Sequence, residues 1–183
     1  AANAAATADI YACTGHKWCC GPEGLGAVAL SERLLSESQP TLIGWRSLSH
    51  EGSASSGFHA DARRFEVATS CIPLMAGLTQ SLLLLETEGR AGERLAGIQA
   101  GSRLLWEGLQ AIPGLATLLE VPPPAGLVSF TAESSPEALV QALGQRGIWL
   151  RTLDDPHCLR ACTHITTSEA EIDQLLEALT DLR

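Results

Sequence analysis

The segment YACTGHKWCCGPEGLG, residues 11–26, decides how this sequence is interpreted. At its start, the apolar stretch Asp9 to Cys13 predicts a strand that leads directly into a polar, glycine-rich loop. At its end, the continuous apolar stretch Leu25 to Leu30 predicts a second strand, of the kind that is buried on both faces. We therefore expect two buried strands joined by an unusual loop, with Lys17 inside that loop.

Lys17 is the only lysine among the 12 basic residues of the chain, and the other basic residues are all arginines. Most lysines are solvated surface charges. A guanidinium group cannot lose its proton, whereas an ammonium group in a desolvated pocket can become a neutral nucleophile. Because the one amine lies on a loop that leaves a buried strand, we interpret Lys17 as a candidate for Schiff-base chemistry.

The composition excludes several classes of partner. Hydrophobic residues make up 45% of the 183 residues, which suffices for a core, and the net charge is -9. Since no basic surface is available for phosphates, we expect neither nucleic-acid binding nor binding to lipid headgroups. No apolar stretch approaches the roughly 20 residues of a membrane span, and no secretory signal is recognisable. The six cysteines fit reduced thiols better than disulfides, so we expect a cytoplasmic protein without membrane contact.

The rest of the sequence predicts an α/β protein with two parts. Residues 39–66 form a long irregular connection, and helices follow from Ser70 and over Glu93 to Ile112. Two strands are too few for a parallel sheet, so we predict that residues 1–89 are the end of a large, mainly parallel α/β domain, and that residues 90–183 form a smaller α+β domain. In the smaller domain we expect strands at Ala116–Val121, Leu127–Ala132, Ile148–Leu153 and Leu159–Ile165, and helices over Ser135–Arg146 and after Thr167 or Ser168.

The loop segment resembles the cofactor-lysine segment of the class V aminotransferase family, fold-type I pyridoxal-phosphate enzymes that include the cysteine desulfurases. The Gly-His-Lys triplet is specific because Gly-Pro-x-Gly-x-Gly follows it. Three later parts of the chain agree with the family in the same order: GWRS (44–47), RFEVATS (64–70), and LRT (150–152) with LRAC (159–162). The resemblance covers nearly the whole chain and is strongest toward the cystine and cysteine carbon–sulfur lyases. It implies a pyridoxal-phosphate-dependent transferase-like fold.

The resemblance implies four cofactor-binding residues. Lys17 matches the residue that binds pyridoxal 5'-phosphate covalently and later moves the Cα proton, and Thr14 and His16 match positions that contact the cofactor phosphate. Thr69 matches a position that reaches the phosphate of the partner subunit, which implies a homodimer. As alternatives, either threonine could simply satisfy turn backbone, and His16 could be a packed core residue.

Arg151 and Arg160 match the pair that holds the substrate carboxylate in the family. An arginine fork suits this role because it binds a carboxylate through two parallel hydrogen bonds. The two arginines lie on neighbouring predicted strands, and the alternative is an ordinary ion pair with Asp154 or Asp155.

The cysteines and histidines predict no metal site. Neither of the two candidate groups has the paired Cys-x2-Cys spacing of structural zinc; the groups are His16, Cys19 and Cys20, and Cys158, Cys162 and His164. The default role of the buried cysteines is that of small hydrophobic residues.

The resemblance does not decide which reaction of the family this protein catalyses. A desulfurase needs a cysteine on a mobile loop, but Cys158 lies only two positions before Arg160, which leaves little room for movement. We therefore favour a lyase that removes sulfur from cystine or cysteine by β-elimination and yields pyruvate and ammonia. A cysteine desulfurase, and a class V aminotransferase or epimerase with another substrate, are the alternatives within the family.

A non-catalytic docking module, or a catalytically silent fragment, is the alternative from another class. In the family, the aspartate at the pyridinium nitrogen, the ring-stacking residue and the glycine-rich phosphate turn lie farther upstream of the lysine than the first residue of this chain. We therefore interpret the chain as the C-terminal part of a larger protein. On its own, we expect it not to turn over substrate.

Overall fold

A computed structural model describes residues 2–50 and 57–182. The chain divides into two compact units, Ala1–Thr87 and Glu88–Arg183. Both units combine helices and strands, so the α/β class is confirmed. That the first unit ends a larger cofactor-binding domain stays a prediction. In the described ranges, no helix is long and apolar enough to cross a membrane.

The first unit is built around a two-stranded antiparallel sheet. Ile10 pairs with Leu30 and Thr14 with Gly26, so the loop of residues 15–25 connects two adjacent strands. The helices and strands of this unit are α1 (Ala2–Thr7), β1 (Ile10–Thr14), β2 (Gly26–Leu30), α2 (Glu32–Glu37) and α3 (Ile72–Thr87).

The expectation that these strands are buried on both faces is wrong for the described chain. Most residues of β1 and β2 are exposed, Ile10 and Val28 among them. The apolar composition asks for a cover on each face, but no other strand of the described chain pairs with this sheet. The apolar pattern therefore indicates strands that require a cover on both faces, but the described chain does not supply that cover.

Ser31 fixes the turn from β2 into α2. Its hydroxyl accepts a hydrogen bond from the Leu34 backbone N–H and donates one to Asp9 Oδ1 at 2.7 Å. Arg33 also pairs with Asp9. Hydrogen bonds from Ser31 and Arg33 hold the pKa of Asp9 below its ordinary value. The start of β1 is thereby joined to the first turn of α2.

The second unit is a four-stranded antiparallel sheet with helices packed on one face. The strand order is β3-β4-β6-β5. Alternate residues of β4 and β6 point into one core with α4, α5 and α6; Phe130 and Leu159, which face each other, are fully buried. The elements are α4 (Ala91–Gln110), β3 (Leu115–Thr117), β4 (Leu127–Ala132), α5 (Pro136–Gln145), β5 (Arg151–Asp154), β6 (His157–Cys162) and α6 (Glu169–Asp181).

β3 is shorter than the sequence predicts. It ends at Thr117, although the predicted strand continues to Val121. The Leu119 carbonyl accepts hydrogen bonds from the Trp106 indole at 3.0 Å and from the Thr117 hydroxyl at 3.2 Å. Because the Leu119 carbonyl accepts hydrogen bonds from these side chains and not from a neighbouring strand, β3 does not extend to Leu119.

The turn between β5 and β6 is shorter than the segment that separates the predicted strands Ile148–Leu153 and Leu159–Ile165. β5 begins at Arg151, because the Ile148 N–H is still bonded to the Leu143 carbonyl at the end of α5. Asp154 pairs directly with His157, so only two residues form the turn. This register places the two predicted carboxylate-binding arginines opposite each other.

Candidate active site

The loop that carries Lys17 is closed by backbone hydrogen bonds. The Gly15 N–H donates to the Leu25 carbonyl at 2.8 Å, and the Gly21 N–H donates to the Gly15 carbonyl at 2.8 Å. Within this closed loop, the Cys20 N–H donates to the Lys17 carbonyl at 3.0 Å. Lys17 therefore begins a tight turn at the tip of a loop whose base is fixed.

Close backbone contacts explain the glycines of this loop. A β-carbon placed on Gly26 would lie 2.5 Å from the Cys13 carbonyl oxygen, and one on Gly15 would lie 3.0 Å from the Leu25 carbonyl oxygen. On Gly21 it would lie 2.6 Å from a methyl group of Leu78. Leu78 of α3 therefore packs beneath the loop, a contact that local sequence patterns do not reveal.

The three predicted cofactor residues of this loop are all exposed. Thr14 ends β1, and His16 and Lys17 follow buried Gly15. The exposure of His16 argues against the packed-core alternative. Lys17 is also exposed, so the described chain does not provide the desolvated pocket that the sequence predicts around its amine.

The donor chemistry of this loop fits pyridoxal phosphate. Over residues 2–50 and 57–182, no hydrogen bond uses the side chains of Thr14, His16 or Lys17. A hydroxyl and an imidazole suit a phosphate, and the amine suits the cofactor aldehyde. The loop thus presents one amine, one hydroxyl and one imidazole within four positions, which are groups able to bond to an aldehyde and to a phosphate.

Thr69 lies in the extended segment before α3, and its side chain is exposed. The segment leading to it is anchored through Ser47, which is fully buried. The Ser47 hydroxyl donates to the Glu66 carbonyl at 2.7 Å and accepts from the Gly44 N–H at 3.1 Å. A β-carbon on Gly44 would lie 1.8 Å from the Val67 carbonyl oxygen, so this glycine permits the two segments to touch.

Arg64 links separate backbone segments within the same connection. Its guanidinium group donates hydrogen bonds to four backbone carbonyls at 2.8 to 3.3 Å. These carbonyls belong to Leu35 and Ser38 at the end of α2, and to His59 and Ala60. The arginine of the RFEVATS segment therefore holds backbone together, a role that only the structure reveals. Residues 51–56 of the long connection lie outside the described residues.

Arg151 and Arg160 form a cross-strand pair in the second unit. They are direct partners in the β5–β6 register and thus share one face of the sheet. Across the described ranges, neither forms a salt bridge with a carboxylate, so the alternative of an ion pair with Asp154 or Asp155 is not observed. Both line an open cavity of about 440 Å³. Two like charges side by side are well placed to receive an anion.

Cys162 and Glu171 line the same cavity. Burial raises the pKa of the Cys162 thiol, while the charge of Arg160 acts in the opposite direction. Glu171 caps α6, where hydrogen bonds from the backbone and side chain of Ser168 lower its pKa. That carboxylate is therefore bonded to the cap, and no other Asp or Glu among the described residues lines this cavity.

Around the cysteines, the described residues form neither a metal-binding cluster nor a disulfide. Among the residues that the structure describes, no group of three or more His, Cys, Asp or Glu side chains is arranged to hold a metal ion. None of the six cysteines forms a disulfide. Burial raises the pKa of Cys19, and the nearby Cys13 and Cys20 raise it further.

Comparison with known proteins identifies a family. The family model described as Aminotransferase class-V matches residues 3–175. A probable cysteine desulfurase from Streptomyces coelicolor is 30% identical over 192 residues, which cover 96% of this chain and 45% of that protein. An isopenicillin N epimerase from Streptomyces clavuligerus is 29% identical over 199 residues and covers 93% of this chain and 46% of its own length.

Two solved structures of the protein C-DES are more similar. A complex of the cystine C–S lyase C-DES with its reaction product, cysteine persulfide, has a TM-score of 0.89 and 44% identity, covering 96% of this chain and 47% of that one. A C-DES mutant with glycine covalently linked to the PLP cofactor has a TM-score of 0.90 and 43% identity, covering 96% and 46%. The chain thus spans about half the length of the relatives that it matches.

Proposed function

Because the chain belongs to the class V aminotransferase family, we propose that it carries the lysine and the carboxylate-binding arginines of a pyridoxal-phosphate-dependent carbon–sulfur lyase. The observation that carries this proposal is the position of Lys17. The only amine side chain lies at the tip of a closed glycine loop, in a chain that is 44% identical to a cystine C–S lyase.

In this proposal Lys17 holds the cofactor and moves the Cα proton through Nζ. Thr14 and His16 donate hydrogen bonds to the cofactor phosphate. When bound, pyridoxal phosphate withdraws electrons from Cα and so makes the loss of its proton easier. A positioned proton shuttle is typically worth about 100- to 10,000-fold in rate.

Arg151 and Arg160 bind the substrate carboxylate and so fix the orientation of Cα. We propose cystine as the substrate. The Cβ–S bond breaks and its electron pair leaves with sulfur, so cystine and one water molecule give cysteine persulfide, pyruvate and ammonia. No external oxidant or reductant is needed, because the disulfide bond is retained in the persulfide as an S–S bond.

A cysteine desulfurase is the second candidate, because relatives described as cysteine desulfurases or probable cysteine desulfurases match this chain. A desulfurase would need a cysteine that reaches the substrate sulfur. Cys158 is fully buried in β6, which is unfavourable for this role. Alanine together with a protein-bound persulfide would favour the desulfurase, whereas pyruvate would favour the lyase.

We extend the proposal to assembly and location. A homodimer in the cytoplasm is consistent with the role expected for Thr69 and with six cysteines outside disulfides. Sedimentation of the protein at several concentrations tests the assembly.

The test of the cofactor site is covalent capture of pyridoxal phosphate. We expect borohydride reduction of the chain with pyridoxal phosphate to fix the cofactor on the peptide that contains Lys17. Lys17→Arg keeps the charge but cannot form the bond, so it should abolish the adduct. An adduct at the N-terminal amine alone, or equal labelling of both proteins, would contradict the proposal.

A further inference from the structure

Trp149 is the most exposed of the large apolar residues of the described chain, at 80%. It stands between Ile148 and Leu150, which both pack against the core of the second unit. Because Ile148 and Leu150 pack on the core while the Trp149 side chain is largely exposed, Trp149 is directed away from that core. An indole is seldom left this exposed without a partner, because it buries a large apolar area when it has one.

The position of the indole ring is defined by a glycine of α5. A β-carbon on Gly144 would lie 3.2 Å from Cζ3 and 3.5 Å from Cη2 of Trp149. The ring therefore rests against the bare backbone of the last turn of α5. One edge of the ring is supported while much of its surface stays open.

Trp149 also lines the cavity of the arginine pair. Trp149, Arg151, Arg160 and Cys162 line the same space of about 440 Å³. A cationic pair beside an aromatic wall suits a ligand with a carboxylate head and an apolar or sulfur-bearing body. Sulfur contacts the edge or face of an aromatic ring favourably.

We propose that Trp149 is a specificity-determining residue that contacts the sulfur-bearing side chain of an amino acid whose carboxylate is bound by Arg151 and Arg160. This inference rests on the proposed function and adds the feature that selects the substrate class. The arginines recognise any α-carboxylate, whereas the indole favours amino acids with a thioether or disulfide side chain.

The experiment compares two ligands that share the amino-acid head. S-ethyl-L-cysteine has a thioether side chain that cannot exchange with protein thiols, and glycine has no side chain. Titration calorimetry of the 183-residue chain, without pyridoxal phosphate, gives both dissociation constants. We expect S-ethyl-L-cysteine to bind about two- to twelvefold more tightly than glycine, which corresponds to the roughly 0.3 to 1.5 kcal/mol of a sulfur–aromatic contact.

The variants separate the roles of the indole and the arginines. Trp149→Ala should bring the ratio of the two dissociation constants close to one, and Trp149→Phe should retain most of the preference. Arg160→Gln should weaken both ligands to a similar degree. Val121→Ala removes another exposed apolar side chain of the second unit, outside this cavity, and should change neither constant.

Two outcomes would overturn the inference in different ways. If Arg160→Gln weakens both ligands but Trp149→Ala leaves their ratio unchanged, Trp149 does not determine specificity and the carboxylate site stands. If Arg160→Gln changes neither ligand, both the carboxylate site and the role of Trp149 are wrong. Capture of pyridoxal phosphate at Lys17 is measured separately, so the cofactor part of the proposed function is judged on its own.

Discussion

At the scale of single residues, glycines show where the backbone of one segment touches another. Gly44 is the strongest case, because the Val67 carbonyl oxygen occupies the space that a β-carbon would need. Gly57 lies in the same long connection, yet a β-carbon there would meet nothing within 4 Å. The two positions therefore form a matched pair for measuring the cost of a side chain.

We predict that Gly44→Ala destabilises the first unit by about 1 to 3 kcal/mol, the usual cost of forcing extra atoms into a packed site. The clash is with backbone, so no side-chain rotation relieves it. Gly57→Ala should change the free energy of unfolding little. Urea denaturation of the three proteins is the measurement, and equal midpoints for both variants would contradict the prediction.

At the scale of elements, one polar contact joins α5 to β6. His157 Nε2 lies 2.8 Å from Glu137 Oε1, and the Ser135 hydroxyl donates to Glu137 Oε2 at 2.6 Å. The hydrogen bond with His157, followed by that from Ser135, lowers the pKa of Glu137 from 4.5 to about 2. The carboxylate form therefore stabilises the fold.

The sign of this pKa shift predicts an acid-sensitive contribution to stability. Because the folded-state pKa is depressed, the contribution is present above about pH 4.5 and is lost as the pH falls toward 2. We expect Glu137→Gln to lower the melting temperature slightly at pH 6 and to match the parent chain near pH 2. Both side chains are solvent-exposed, so the effect should be small.

Thermal unfolding between pH 2 and pH 7 measures this difference. Glu177→Gln on α6 is the control, since no salt bridge of the described residues involves that side chain. A difference between Glu137→Gln and the parent that is constant over the whole pH range would show that the contact does not depend on the carboxylate charge.

The sequence predicted most elements of the second unit, but it placed several ends incorrectly. Ser135 and Ser168 cap α5 and α6 as predicted, because capping depends on side chains within the same few residues. The end of β3 could not be predicted, because it depends on a hydrogen bond from Trp106, 13 positions earlier in the chain. Local signals are readable in the sequence, and contacts between distant residues are not.

At the scale of the whole molecule, the exposed apolar strands and the length of the relatives lead to the same prediction. The chain spans about half of the relatives that it matches, and β1 and β2 are largely exposed. We predict that the 183-residue chain releases no pyruvate from cystine when it is mixed with pyridoxal phosphate, although Lys17 captures the cofactor.

A coupled lactate dehydrogenase assay for pyruvate tests this prediction. The matching measurement is borohydride labelling of the same sample, which reports the cofactor site independently of turnover. Sustained pyruvate release by the purified chain, and its loss in Lys17→Arg, would show that these residues suffice for catalysis and would contradict the prediction.

The sequence by itself determined the family to which this protein belongs. It has one lysine, and the residues around Lys17 carry the resemblance to a family whose model matches residues 3–175. Such motifs are contiguous, because the loop, its glycines and its amine must act together within a few positions. The candidate roles of Lys17, Thr14 and His16 are therefore readable from the order of the amino acids alone.

Only the tertiary structure decided which residues meet across the chain. The spacing of Arg151 and Arg160 did not establish that they face each other; the two-residue turn of the β5–β6 hairpin sets that register. The structure also shows that Ile148 and Leu150 pack against the core, while Trp149 between them lines the arginine cavity. A side chain's direction and partners depend on the strand register and on packing with distant residues, which local sequence patterns do not contain.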